Sequence, residues 1–291
     1  MFDLKTIIKA KTIDQAVKLL IENPDAKLIA GGTDVLIKLK QGKDGYARLV
    51  DIHDLEALNY IRFDDEKNIL IGSGVVFSQI IQSDIIRDTI PMLCEAAKSV
   101  GGPQIRNIAT MGGNICNGVP SADSAPSLFA LNALLVIQRE KGVRQIPIAD
   151  FYKGPGRVNL NQGDVLIGFK ITRDNYQGYK GCYYKYAMRN AMDIATIGCA
   201  VSLKTKNHVL VDYRIAYGVA GPVPLRCHAT EQAVLHQAVS NALVDKISET
   251  VENDVNPRTS WRASRDFRMN IIKELSKRVT KEVFKRAGEK L

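Results

Sequence analysis

Two turns that each contain adjacent glycines constrain the fold of this chain more than any other sequence feature. They stand about 80 residues apart, in or after apolar, β-prone segments: Ile29-Ala30-Gly31-Gly32-Thr33-Asp34 and Ala109-Thr110-Met111-Gly112-Gly113-Asn114-Ile115. Paired glycines permit a positive φ and let the backbone approach a ligand closely. Because converging backbone N–H groups bind anions, two such turns could enclose one diphosphate from both sides.

The alternative for either turn alone is an ordinary tight turn without a ligand. Neither matches the GxGxxG pattern of a Rossmann dinucleotide site or the GxxxxGK[ST] pattern of a P-loop. Thr33 and Thr110 could each add a hydroxyl donor to the same anion. The pair of turns therefore favours a phosphate site of another type, and both interpretations stay open at this point.

The composition is that of a globular protein, with 45% hydrophobic and 24% charged residues in a chain of 291. This length suffices for two domains with separate cores. No apolar window reaches the roughly 18 residues that a transmembrane helix needs. The segment from Met1 to Ala10 lacks the apolar stretch of a secretory signal. We therefore expect a cytoplasmic protein without a membrane span.

Cysteine and histidine usage argues against a metal centre. The cysteines are odd in number and widely scattered, without a CxxC pair, and are interpreted as reduced, mostly buried thiols. Cys116 is the one that adjoins a glycine turn. The histidines are equally dispersed, so a histidine metal site is not expected. These residues are Cys94, Cys116, Cys182, Cys199 and Cys227, and His53, His208, His228 and His236.

The net charge of +9 owes much to a basic C-terminal segment, for which nucleic-acid binding is the first hypothesis to weigh. Apolar residues recur there at steps of four, which predicts an amphipathic helix with a solvated basic face and no nucleic-acid partner. A docking surface for a partner protein is the remaining alternative. The apolar positions are Phe267, Ile271, Leu275, Val279 and Val283.

The local patterns predict a mixture of strands and helices. Thr12 and Gln15 fit a capping box that opens a helix between two strands. A hairpin is predicted at Ile61–Phe63 and Ile69–Gly72. A helix is expected over part of Val35–Lys40, and others over Phe77–Ile86, over Met92–Val100 and from about Thr230 onward. Further strands are expected at Lys27–Ala30, Leu49–Ile52, Leu134–Ile137, Val165–Ile171, Gly181–Met188, Ile197–Thr205 and Val209–Val219.

The second turn belongs to a longer stretch that resembles a known family. The segment Gly102-Pro103-Gln104-Ile105-Arg106-Asn107-Ile108 leads into it, and Cys116-Asn117 and Pro120-Ser121-Ala122-Asp123-Ser124-Ala125-Pro126 follow. This stretch is similar to the hallmark of the FAD-binding subunits of molybdenum hydroxylases, which include xanthine, carbon monoxide and aldehyde dehydrogenases. Further signatures of the family are matched in the same order along the chain. They are the first turn, then Tyr184–Arg189 with Asp193-Ile194-Ala195, and then Ser264–Arg268. Phe267 stands where the family usually has tyrosine.

The resemblance implies an α+β fold in two parts. Residues 1–176 are expected to form an FAD-binding domain of the vanillyl-alcohol oxidase type, with subdomains at about 1–55 and 56–176. Residues 177–291 are expected to form a small C-terminal domain, in which a three-stranded antiparallel sheet packs on a helical bundle.

The resemblance also implies a set of FAD contacts, with the two glycine turns around the diphosphate. Asp123 would bind the adenosine or ribitol hydroxyls, and Lys185 would complement charge on the reduced flavin. Simpler roles stay open, since Asp123 could cap a helix and Lys185 could lie on a strand surface. Asp193 could belong to a mobile loop near the flavin that controls access of the electron acceptor. The expected contacts are Lys27, Leu28, Ile29, Ala30, Gly31, Gly32, Thr33, Asp34, Val35, Val100, Gly101, Ala109, Thr110, Met111, Gly112, Gly113, Asn114, Asp123, Leu166 and Lys185.

The function implied is electron transfer within a complex, without a catalytic acid, base or nucleophile on this chain. Molybdopterin would lie on a large partner subunit and two [2Fe–2S] clusters on a small one, in a heterotrimer that could dimerise. FAD would accept the electrons and pass them to NAD⁺ or another acceptor during purine hydroxylation. The alternatives are the corresponding carbon monoxide or aldehyde enzyme, a stand-alone flavin oxidase, and a non-catalytic binding protein.

Overall fold

A small parallel sheet opens the fold in the computed structural model, which describes residues 4–43 and 45–291. Met1 to Asp3, which begin the segment interpreted as lacking a secretory signal, lie outside the described residues. The strand order is β1-β3-β2, so β3 is the central strand. Ile29 of β2 pairs with Asp51 of β3. The elements are β1 (Thr6–Lys9), α1 (Ile13–Glu22), β2 (Lys27–Ile29), α2 (Val35–Lys40) and β3 (Arg48–Asp51).

The predicted cap of α1 is present, with one change of partner. The Thr12 hydroxyl accepts a hydrogen bond from the Gln15 N–H at 3.1 Å. The Gln15 side chain reaches back to the N–H of Lys11 at 2.6 Å, rather than to that of Thr12. The first bond satisfies a donor that a helix leaves free at its first turn, and the second fixes the chain just before the N-cap.

An antiparallel sheet with the strand order β4-β5-β10-β6-β7 forms the next layer, and β8 pairs separately with β9. The predicted hairpin is confirmed as β4 and β5. The elements are β4 (Ile61–Phe63), β5 (Ile69–Gly72), α3 (Phe77–Gln82), α4 (Asp84–Thr89), α5 (Pro91–Ser99), α6 (Pro103–Arg106), α7 (Met111–Cys116), α8 (Ser124–Ala130), β6 (Leu134–Arg139), β7 (Gly142–Pro147), β8 (Tyr152–Gly154), β9 (Arg157–Val158) and β10 (Val165–Ile171).

Two predictions within this layer need correction. The helix expected over Phe77–Ile86 is divided into α3 and α4, because Ser83 has extended backbone angles and its hydroxyl accepts the N–H of Ile86. The second glycine turn is also the start of a helix rather than an open turn, since Gly112 and Gly113 lie in the first turn of α7.

A separate antiparallel sheet with the strand order β11-β12-β13-β14 characterises the C-terminal region. The predicted strands are present, but a two-residue edge strand, β14, extends the sheet beyond the expected three. Arg268 departs from the predicted basic face of the last helix, because it is buried and donates to the Thr196 carbonyl. The elements are β11 (Lys180–Tyr186), β12 (Ile197–Lys206), β13 (Val209–Gly218), β14 (Leu225–Arg226), α9 (His228–Val234), α10 (Asn241–Thr250) and α11 (Arg265–Arg286).

Gly218 allows β13 to pack closely against the segment before α8. A Cβ atom placed there would lie 2.9 Å from the Pro120 carbonyl oxygen. A larger residue would separate β13 from this segment. Within the part of the chain described, no helix combines the length and the apolar character that crossing a bilayer requires.

Candidate functional site

The two glycine turns meet at one cavity. A Cβ atom placed on Gly31 would lie 1.9 Å from the Ile108 carbonyl oxygen, a distance that only glycine can tolerate. Both turns line a cavity of about 470 Å³, which is within the size range of ligand sites. The two turns therefore belong to one site, and their binding of a phosphate stays a prediction.

The first turn presents unused backbone donors to this cavity. The N–H groups of Gly31, Gly32, Thr33 and Asp34 have no hydrogen-bond acceptor among residues 4–43 and 45–291. Gly32 has a φ of +73°, a conformation that glycine adopts with little strain. A run of free N–H groups beside a cavity is the arrangement that binds an anion.

The second turn has four consecutive backbone donors already engaged, at residues 111 to 114. The N–H groups of Met111 and Gly112 donate to the carbonyls of Val75 and Ser73, both at 2.9 Å. The N–H of Gly113 donates to the Thr110 hydroxyl oxygen at 3.0 Å. The N–H of Asn114 donates to the Thr110 carbonyl at 3.0 Å. The N–H groups of residues 111 to 114 are therefore not free to donate to a diphosphate, as had been expected of them.

Most of the predicted contact residues line the cavity. Val100, Leu166 and all the predicted positions of the two turns do so, apart from two side chains that pack into the interior. Those two, Ile29 and Met111, are buried. Gly101 also lies outside the lining; its φ is +47°, and a Cβ atom there would lie 2.9 Å from Ile105.

Asp123 and Lys185 lie behind the cavity wall rather than in it. Their side chains form an ion pair at 2.9 Å and are about nine-tenths buried. Lys185 also donates to the Ser99 carbonyl at 3.0 Å, and the Tyr183 hydroxyl donates to Asp123 at 3.1 Å. The pair thus connects β11 to the residue before Val100, and their predicted direct contact with FAD stays a prediction.

The structure also excludes the two simpler roles, a helix cap for Asp123 and a surface position for Lys185. The Asp123 side chain makes no capping hydrogen bond to α8, and Lys185 is not a surface residue. Burial raises the pKa of the Asp123 carboxyl, while Lys185 and the Tyr183 hydroxyl act to lower it. Burial, with the nearby Asp123 charge, also holds the pKa of Tyr183 well above its usual range.

Several residues of the cavity had no sequence signal. Lys38 of α2 lines it, donates to the side-chain oxygen of Asn117, and lies 5.4 Å from the centre of the Tyr46 ring. Lysine near the free N–H groups adds positive charge to an anion site. The segment 156–164 closes the other side and includes a Gly163 bend with a φ of +84°. Helix periodicity could have placed Lys38 one turn beyond Asp34. It could not have shown that the Lys38 side chain lies at the cavity.

The loop around Asp193 connects β11 to β12. Asp193 accepts the N–H groups of Arg189 and Ile194, at 3.0 and 2.9 Å. Met192 in the same loop approaches Gly102, where a Cβ atom would lie 3.3 Å from the methionine side chain. A role for Asp193 in acceptor access stays a prediction.

The chemistry of the cavity lining is that of binding. Its carboxylates are those of Asp34 and Asp164, and the Asp164 side chain is held by Arg144 at 2.9 Å. In residues 4–43 and 45–291 no three His, Cys, Asp or Glu side chains cluster in a way that could hold a metal ion. All five cysteines are free thiols, and four of them are buried, as predicted.

Comparison with known proteins connects this geometry to a family. Residues 2–172 match the model of the FAD binding domain in molybdopterin dehydrogenase. Residues 182–283 match the CO dehydrogenase flavoprotein C-terminal domain. The chain belongs to the family of FAD-binding subunits of molybdenum hydroxylases. This result removes the stand-alone flavin oxidase and the non-catalytic binding protein from consideration.

Relatives cover the whole chain. The xanthine dehydrogenase FAD-binding subunit of Escherichia coli O157:H7 is 44% identical over 291 residues, which is 100% of both chains. The glyceraldehyde dehydrogenase medium chain of Sulfolobus acidocaldarius is 30% identical over 95% of this chain and 97% of its own. A chain of carbon monoxide dehydrogenase from Hydrogenophaga pseudoflava superposes with a TM-score of 0.93 at 28% identity, covering 98% and 99% of the two chains. The predicted family and fold class are confirmed.

Proposed function

We propose that the cavity between the glycine turns holds FAD, with the diphosphate at the free N–H groups of Gly31 to Asp34. The observation that carries this proposal is the contact of Gly31 with Ile108, which brings both turns to one cavity. Lys38 supplies positive charge on the same side. Val100 and Leu166 supply an apolar wall suited to a ring system. Bound FAD would supply the redox chemistry, which the side chains lining the cavity do not.

In this proposal the chain transfers electrons and leaves substrate oxidation to its partners. It would take electrons from the [2Fe–2S] clusters of a small subunit, while a large subunit carries molybdopterin and oxidises the substrate. NAD⁺ is the proposed final acceptor and a purine of the xanthine class the proposed substrate. The 44% identity to the xanthine dehydrogenase subunit, against 30% to the glyceraldehyde enzyme, supports this choice. The same role in a carbon monoxide or aldehyde dehydrogenase is the alternative.

The proposed assembly is a cytoplasmic heterotrimer that could dimerise. The domain division at residues 176 and 177 also remains a proposal. It is compatible with the limits of the two family matches, which end at 172 and begin at 182.

Two measurements test the proposed function. First, the purified chain is titrated with FAD, and binding is followed by quenching of flavin fluorescence; saturable binding is expected. Second, the chain is co-expressed with its large and small partner subunits, and xanthine-dependent NAD⁺ reduction is measured with and without this chain. Loss of NAD⁺ reduction, but not of xanthine oxidation by an artificial dye, is expected without it. Oxidation of an aldehyde or carbon monoxide in place of xanthine would support the alternative.

A further inference from the structure

Ser73, immediately after β5, has a buried hydroxyl without a hydrogen-bond partner. The residue is 5% exposed, and its Oγ finds no partner among the described residues. Other buried side-chain atoms of the described chain share this condition, but Ser73 is the residue among them that lines the cavity. The others belong to Arg48, Arg144, Tyr152, Thr196 and Arg268.

The backbone holds this hydroxyl in a fixed place. The Ser73 N–H donates to the Ile167 carbonyl at 3.1 Å, and the Ser73 carbonyl accepts the Gly112 N–H at 2.9 Å. A Cβ atom on Gly112 would lie 2.6 Å from the Ser73 Cβ, so α7 packs directly against this serine. The side chain therefore lies where the second turn meets the cavity, and the short distance to α7 limits its movement.

A buried hydroxyl without a partner is unfavourable and is rare in native proteins unless a ligand or water completes it. The second turn cannot offer the N–H groups of residues 111 to 114 to a ligand, because all four are engaged within the protein. Ser73 offers an O–H donor at the same junction. Across the cavity, the first turn offers free N–H groups, and Lys38 adds a positive charge.

We propose that the Ser73 hydroxyl donates a hydrogen bond to a phosphate oxygen of the bound dinucleotide. It thereby adds a donor on the side of the second turn, where the N–H groups of residues 111 to 114 are engaged within the protein. This inference rests on the proposed function, since it takes FAD to be the ligand of the cavity.

Two alanine variants test the inference, because they should behave in opposite ways. Ser73→Ala removes a hydroxyl that has no partner in the ligand-free protein, so the melting temperature without FAD should stay the same or rise. Its affinity for FAD should fall about 10-fold or more, as expected for a lost hydrogen bond to a charged group.

Ser127→Ala is the matched control. Ser127 is fully buried in α8, and its hydroxyl donates to the Met92 carbonyl at 3.2 Å, away from the cavity. The variant should lower the melting temperature of the ligand-free protein and leave the affinity for FAD unchanged.

ADP distinguishes a phosphate contact from a contact with the flavin ring, because it carries the diphosphate without the ring. The affinity for ADP is measured by displacement of FAD. In Ser73→Ala it should fall by the same factor as the affinity for FAD. Unchanged FAD affinity in this variant, or a loss for FAD that ADP does not share, would overturn the inference. Failure of the unaltered chain to bind FAD would instead refute the proposed function, so the two failures can be told apart.

Discussion

The two glycine turns have similar sequences and line the same cavity, yet they use their glycines differently. In the first turn, Gly31 permits contact with the Ile108 backbone and Gly32 adopts a positive φ, and the following N–H groups remain free. In the second turn, Gly112 permits contact with Ser73, and the N–H groups of residues 111 to 114 are engaged within the protein. The first turn thus keeps donors available for the proposed ligand, whereas the second packs against the sheet that supports it.

This difference shows that a glycine pair in a sequence indicates a close contact with the backbone. It does not indicate whether the contacting group is a ligand or another part of the protein. Both turns were expected to bring their backbone to phosphate. In the second turn the approaching group is the Ser73 residue of the protein itself, and Asn114 is fixed from behind by the Ser124 hydroxyl at 2.7 Å. Substitutions should therefore affect folding in one turn and ligand affinity in the other.

The largest effect is expected for Gly112→Ala. Its new Cβ would lie 2.6 Å from the Ser73 carbonyl oxygen, and neither backbone can move freely. The free energy of unfolding without FAD should fall by about 1–3 kcal/mol, as is usual for overpacking. Urea denaturation of the ligand-free protein measures it. Gly113→Ala is the control, because its nearest neighbour is the Thr110 side-chain oxygen at 2.9 Å rather than backbone; an equal loss there would contradict the assignment.

Gly32→Val is expected to lower the stability less than Gly112→Ala does, and to lower the affinity for FAD more. A valine at a φ of +73° is strained by about 1–2 kcal/mol, and relief of that strain would turn the neighbouring N–H groups away from the cavity. The affinity for FAD should fall at least 10-fold while the protein stays folded by circular dichroism. Gly32→Asn should retain more affinity, because asparagine tolerates this conformation. Equal affinity of all three proteins would show that the first turn does not bind the ligand.

Local patterns in the sequence were sufficient for most of the fold. The hairpin of β4 and β5 and the strand β10 match their predicted limits, and α2 fills the range predicted to contain a helix, because apolar patterns and turn residues act over short distances. The division at Ser83 was missed, since a serine within a helical pattern can either continue the helix or cap a new one.

The site could be predicted only in part, for a physical reason. The glycine turns had a signal because glycine has an unusual backbone freedom. Ser73 and Lys38 had none, since their role depends on contacts between segments far apart in the chain, such as Lys38 with Asn117. Asp123 and Lys185 were predicted as FAD contacts, but their mutual ion pair depends on how β11 packs against α5, which no local pattern encodes.

The smallest expected effect concerns Cys116, which ends the helix that the second turn begins. It lines the cavity, and burial raises the pKa of its thiol to about 12. Because the thiolate is the reactive form and only about one thiol in ten thousand is ionised at pH 8, alkylation should be slow there, and its rate should rise about tenfold per pH unit above it. Alkylation by iodoacetamide, located by mass spectrometry against a Cys116→Ala control, measures this. FAD should slow the reaction further, since the thiol faces the cavity. Rapid alkylation at pH 8 that FAD does not slow would mean that α7 opens readily, which contradicts the assignment of the second turn as the rigid one.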